Sequence, residues 1–227
     1  MTLGMKSTSS SGTDRHARRS PSPRSQELPF LPFERDFSWS VPGREECVAL
    51  WDRYAMPPNI RDHSKCVAEL AFTIAVHLSD NGATVHAPSV LAAGLLHDLG
   101  KIYCIEHGGS HAQLGAAWVI GATKNPHIAQ GVIHHVDWPW NVDVYDDRQL
   151  LCLCVMYADK RVKHDALVGL ADRYADIMER YGVSPADVKR ITAAREQAYE
   201  IEAALSRRMG IELNEHTFDS GRLVKRA

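Results

Sequence analysis

Long apolar runs are missing from this sequence. Although 44% of its 227 residues are hydrophobic, no stretch approaches the ~20 consecutive apolar residues that a helix needs to cross a bilayer, so a soluble chain with no membrane partner is expected. A basic surplus is missing too. Lys and Arg number 26 against 28 Asp and Glu, for a formal net charge of −2, and no nucleic-acid partner is expected of the whole chain, because such domains usually carry a marked basic excess. Cysteine is sparse: Cys47, Cys66, Cys104, Cys152 and Cys154 include no CxxC pair and leave one over, which argues against a disulfide framework and for a reducing compartment. Alternating strand-like runs and internal repeats are also lacking. What the chain has in quantity is histidine, twelve of them.

Residues 1–25 hold seven serines, two prolines and five basic groups against one acid. They offer almost nothing to pack, so a disordered tail is expected over 1–28. Arg18-Arg19 brings a twin-arginine export signal to mind, but Ser20-Pro21-Ser22-Pro23-Arg24 follows where an apolar segment is required, and the cytoplasm is the expected compartment. Residues 29–41, with Pro29, Phe30, Leu31, Pro32, Phe33, Phe37 and Trp39, are too apolar for a free linker and too rich in proline for a helix. They are expected to drape over a single domain spanning 29–213, with 214–227 a loose tail.

From Pro42 onward the hydrophobic period is helical. A first helix is expected over 43–55 and a second over 60–79, where His63, Val67, Leu70, Ala71, Ile74 and Leu78 share one stripe. Pro88 suits a helix start, and that helix is expected to continue over Val90–Leu99 until Gly100 closes it as a left-handed cap. Ser110 caps 111–123, and Asn125-Pro126 opens a helix through His135. Further helices are expected from Asp146-Asp147 to Val162, over 166–181, and from Pro185 to Met209 behind Ser184 and before Gly210.

Several polar residues fall on faces that should be dry. Asp159 continues the Leu151–Val155 stripe, and Asp98 continues Leu91–Gly94–Leu95. An ionised carboxylate buried alone costs several kcal/mol, so each requires a strong partner. His63 opens the apolar stripe of its own helix, and His97 precedes Asp98. Imidazole nitrogen and carboxylate oxygen from separate helices suit a divalent transition metal, Zn, Fe, Mn, Co or Ni, although each residue taken singly also fits a hydrogen-bonded core position.

The order of these residues carries a resemblance. His63 in Asp62-His63-Ser64, the heptapeptide Leu95-Leu96-His97-Asp98-Leu99-Gly100-Lys101, His134-His135 and Ala158-Asp159 together resemble the HD superfamily of metal-dependent phosphohydrolases, of the HDIG type, over about residues 55–165. The resemblance implies an all-α helical bundle with a five-helix core and additional C-terminal helices. It implies one metal held by His63, His97, Asp98 and Asp159, and, where a second metal is bound, bridging by Asp98 and further ligation by His111 and His134. His135, adjacent on the helix, is placed behind His134 as ligand or substrate contact. Cys66 stands where the family often has a basic residue, and Val136-Asp137-Trp138-Pro139-Trp140 lacks a GYP signature, so a cyclic-di-GMP phosphodiesterase is not the first expectation.

One or two divalent ions are therefore expected, with a nucleotide or other small phosphorylated substrate cleaved at a phosphate ester by metal-activated water. Asp98 and Lys101 are the expected catalytic groups. Lys101 is read either as offsetting phosphoryl charge or as complementing a helix C-terminus. Arg161 and Trp138 are further substrate candidates, the one beside Arg148, Lys160 and Lys163 on what reads equally as a solvated face, the other as a stacking ring or as packing over helix ends. His77 lies fourteen residues beyond His63, roughly 21 Å along one helix, and is structural. His107 sits close behind the motif, in a loop with two glycines, and His16, His86, His127, His164 and His216 are read as surface residues. Two other functions fit the pattern: a di-iron oxygenase using the same kinds of ligand, and a non-catalytic ligand-sensing module keeping the fold.

Overall fold

The computed structural model describes residues 36, 38–214 and 217. The expected N-terminal tail, most of the expected C-terminal tail and of the 29–37 stretch, His16 and His216 lie outside the described residues. Among the described residues the chain forms nine helices and one two-stranded ribbon, and no helix is long and apolar enough to cross a membrane.

α1 (Arg44–Arg53) is followed by α2 (Pro58–Asp80), whose Pro58 sits in the first turn where a missing N–H costs nothing. The α2 stripe from His63 through Val67, Leu70, Ala71, Ile74 and Leu78 is buried throughout. α3 (Ala87–Leu96) packs along it, with Val90, Ala93 and Leu96 fully buried. The close α2–α3 crossing depends on Gly94, since a Cβ there would fall 2.6 Å from the Ala68 Cα. Trp51 of α1 donates its Nε1–H to Leu95 O at 2.9 Å and fastens α1 to α3.

The expected helix through Leu99 stops early. α3 ends at Leu96, His97–Gly100 form a turn, and α4 (Lys101–His107) begins at once. Gly100 has φ −83, so it is no left-handed cap. Its requirement is space, because a Cβ would sit 2.7 Å from His111 O and 2.9 Å from Gly115 N of α5 (His111–Thr123). α6 (Pro126–His134) is capped by Asn125, whose Oδ1 accepts from His127 N and Ile128 N. The same Asn125 donates to Ser40 O at 3.0 Å, and Val41 packs on the core, so residues 40–41 lie along the domain as the 29–41 stretch was expected to.

α7 (Leu150–Arg161) is buried at every position. Asp146–Gln149 make turns ahead of it rather than its first turn. Past α7 the chain makes an antiparallel ribbon of β1 (Val162–Lys163) and β2 (Ala166–Leu167), too short to show any alternation in sequence. For that reason α8 (Leu170–Tyr181) starts later than expected. α9 (Pro185–Met209) has the expected ends, a Ser184–Asp187 capping box and Gly210 at φ 66. α2, α3, α6 and α7 form the packed core, α5 lies against α6, and α8 and α9 lie against α7. The architecture is an all-α bundle.

Candidate metal centre

Three separate pieces of chain bring four residues together at the middle of the bundle. His63 comes from α2, His97 and Asp98 from the turn after α3, and Asp159 from α7. His63 Nε2 lies 3.1 Å from Asp159 Oδ1 and 3.9 Å from Asp98 Oδ2. His97 Nε2 lies 3.5 Å from Asp98 Oδ2 and 3.7 Å from Asp159 Oδ1. All four residues are buried. The other oxygen of Asp98 faces a second pair of rings: His111 Nε2 at 3.4 Å and His135 Nε2 at 3.7 Å, themselves 3.1 Å apart. Thus the two oxygens of one carboxylate look toward two different sets of imidazoles.

The backbone fixes how these rings point. His63 Nδ1 contacts His164 O at 2.9 Å, His97 Nδ1 contacts Gly94 O at 2.7 Å, and His135 Nδ1 contacts Val132 O at 2.6 Å. A carbonyl only accepts, so each Nδ1 is the donor, and in the neutral ring Nε2 then keeps its lone pair directed inward. His97 Nε2 is buried without a hydrogen-bond partner. Ring nitrogens and carboxylate oxygens of His63, His97 and Asp159, and again of His97, Asp98 and His135, gather within 4.8 Å of one another. That donor set and the orphaned nitrogen fit a divalent transition ion.

Charge is balanced by two ammonium groups. Lys101 Nζ is 2.6 Å from Asp98 Oδ2, and Lys160 Nζ is 2.5 Å from Asp159 Oδ2 and 3.4 Å from His135 O. Burial on its own would push both carboxyls up. His97 and Lys101 hold Asp98 well below the usual carboxylate range, and Lys160, His63 and His97 do the same for Asp159. Burial pushes His135 down to about 3, with His97 adding to the effect, so that ring is neutral at physiological pH.

Several expected roles change. His134, the favoured member of its pair, turns to Trp138 and Trp140, with ring centroids 5.6 and 5.0 Å away, while His135 enters the cluster. The reason is helical phase: Ile128, Val132 and His135 share the buried stripe of α6 at offsets of four and seven, and His134 lies off it. Arg161 is no rim residue, being 1% exposed with its guanidinium on Tyr157 Oη, Val168 O and Asn214 O. Trp138 is equally buried, its ring packed on Trp140 and its carbonyl accepting from Gln197, so it presents no face to a base. Lys101 opens α4 rather than closing a helix, which removes the dipole explanation for its charge.

His111, the first residue of α5, is 30% exposed at its side chain and Lys101 38%, which marks the open side of the cluster. His107 packs at a tilt on Tyr103 at the far end of α4. His164 contributes through its backbone oxygen, for which no sequence signal exists.

An HD domain family model matches residues 60–177, just over half of the chain. Among curated proteins, ribonuclease Y of Opitutus terrae is 36% identical over 85 residues, covering 37% of this chain and 15% of that protein. Ribonuclease Y of Dehalococcoides mccartyi is 35% identical over 82 residues, covering 36% of this chain and again 15% of its own length. The chain therefore corresponds to a small part of those relatives. No solved structure matches it significantly.

Proposed function

This chain belongs to the HD domain family, and on that premise we propose that it is a metal-dependent phosphohydrolase acting on a phosphate ester, of a nucleotide or another small phosphorylated metabolite. The observation that carries the reading is the buried meeting of His63, His97, Asp98 and Asp159, with His97 Nε2 left without a hydrogen-bond partner.

In this reading those four residues would hold one divalent ion, and Asp98 with His111 and His135 would hold a second. When bound, such an ion acidifies water, from a pKa of about 16 toward about 7, and polarises a phosphoryl oxygen. The chain's own groups do the rest. The Nδ1 bonds to Gly94, Val132 and His164 carbonyls orient the rings before any ligand arrives. Lys160 keeps Asp159 ionised, and Lys101, charged and half-exposed beside Asp98, stands where it neutralises phosphoryl oxygens entering from the open side. Burial of the cluster excludes bulk water and strengthens each of these interactions.

The placement of His111 and His135 on the second oxygen of Asp98 also suits a pair of irons, so oxidative cleavage by a di-iron oxygenase is the second reading. A panel of phosphomonoesters, nucleotides, phosphodiesters and an RNA oligonucleotide, run with oxygen consumption monitored, separates the two. Phosphate or nucleotide release without oxygen uptake is expected. Oxygen uptake with no phosphoester cleaved would replace the hydrolase by the oxygenase, and turnover confined to RNA would replace the small substrate by a polymer.

A further inference from the structure

Beside the metal centre lies a cationic cluster that supplies none of its candidate donors. Asp176 of α8 is buried and faces three cations: Lys163 Nζ at 2.9 Å, Arg180 Nη2 at 3.0 Å and Arg173 Nη1 at 3.5 Å. Three positive groups against one carboxylate leave an excess of two. The other acids of this helix, Asp172 and Glu179, are exposed and lie about 100° round the axis from Arg173 and Arg180, respectively, so they do not cancel it.

Arg173 is the least satisfied of the three. Its contact with Asp176 is long, and its Nε is buried with no hydrogen-bond partner. A guanidinium offers five donors in a planar fork that matches phosphate oxygens, and with its one long contact to Asp176 Arg173 has donors left for a phosphate. The cluster borders the metal site through the ribbon after α7. His63 Nδ1 donates to His164 O at 2.9 Å, and Lys163, next to His164 in the chain, reaches Asp176 at 2.9 Å. α8 also packs on α7, which carries Asp159, so Arg173 and its neighbours adjoin the metal centre from the α8 side.

We propose that Arg173, backed by Lys163 and Arg180, forms a second phosphate subsite adjoining the metal centre, so that the substrate carries at least one phosphate beyond the one attacked. This rests on the phosphohydrolase reading above for the meaning of the neighbouring site. Arg173 binds and positions the further phosphate, while Lys101 attends the reacting one.

Binding without turnover tests it. The metal-loaded full chain is titrated calorimetrically with methylphosphonate and with methylenediphosphonate, metal content being checked before and after. About tenfold tighter binding of the diphosphonate is expected for the unaltered chain, and Arg173→Ala is expected to remove most of that preference while changing methylphosphonate binding less than about twofold. Arg173→Lys should retain an intermediate preference, and it decides the matter if the alanine variant fails to fold. A preference that survives both substitutions, or none in the unaltered chain, overturns the subsite. Should every phosphoester resist hydrolysis while the Arg173 effect persists, the hydrolase reading falls and the phosphate subsite stands; turnover with a silent Arg173 gives the opposite result.

Discussion

His63, His97 and His135 each tie one ring nitrogen to a backbone carbonyl and aim the other at Asp98 or Asp159. At the scale of single residues the clearest contrast is between two neighbours. His135→Ala removes a ring that faces the second oxygen of Asp98, whereas His134→Ala removes one that packs on tryptophans. The first variant is expected to lose one bound ion or at least tenfold in affinity for it, and the second to keep both, as read by metal titration. Equal losses would return His134 to the site. The titration of His97 gives a second expectation. Burial opposes its protonated form, but Asp98 and Asp159 outweigh burial and raise its pKa above the ordinary 6.5. A proton on Nε2 competes with a metal, so affinity should weaken as pH falls, and the competition is still felt near neutrality. Calorimetry at pH 7 in buffers of different ionisation enthalpy should register proton release on binding, and buffer-independent heats would contradict the assignment.

Elements place these residues with little slack. α3 ends one residue before His97, and the turn that follows lets two consecutive side chains, His97 and Asp98, point into one cluster. That turn was not legible in sequence, because Gly100 looked like a left-handed cap when its role is to let the α5 backbone approach. The inward direction of Asp98 and Asp159 was legible all the same, since a charge on an apolar stripe is conspicuous at helical period. His135 was also within reach of the same periodicity, from Ile128 and Val132, but the phase of a short helix next to an aromatic loop was read one residue out. Gly94→Ala belongs at this scale. The added methyl would meet the Ala68 Cα, and destabilisation of about 1–3 kcal/mol is expected, with metal affinity falling in step because Gly94 O also holds His97. Ser184→Ala, which removes a cap from α9, should cost about 1 kcal/mol and leave metal binding unchanged. Thermal melts with metal titrations check both, and a metal defect in the cap variant would mean that α9 couples to the site.

The whole molecule is a helical bundle that buries two carboxylates and several imidazoles at its centre. The helical period, most element ends and the convergence of distant polar residues could be read from the chain. The short ribbon after α7, the inward Lys160 and the structural use of Arg161 could not, because they depend on how the ends of α7 meet α8, α9 and the segment at Asn214. An ion that binds only the folded state adds stability as RT ln(1 + [L]/Kd), about 2.7 kcal/mol at a hundredfold excess over Kd, so a chelator should lower the melting temperature and replacement of metal should restore it. The measurement that bears most directly on the central claim is elemental analysis of the anaerobically purified full chain beside its Asp98→Ala variant. One to two equivalents of a divalent transition metal per chain are expected in the first and none in the second; equal metal in both, or none in the first even after loading, would contradict the account.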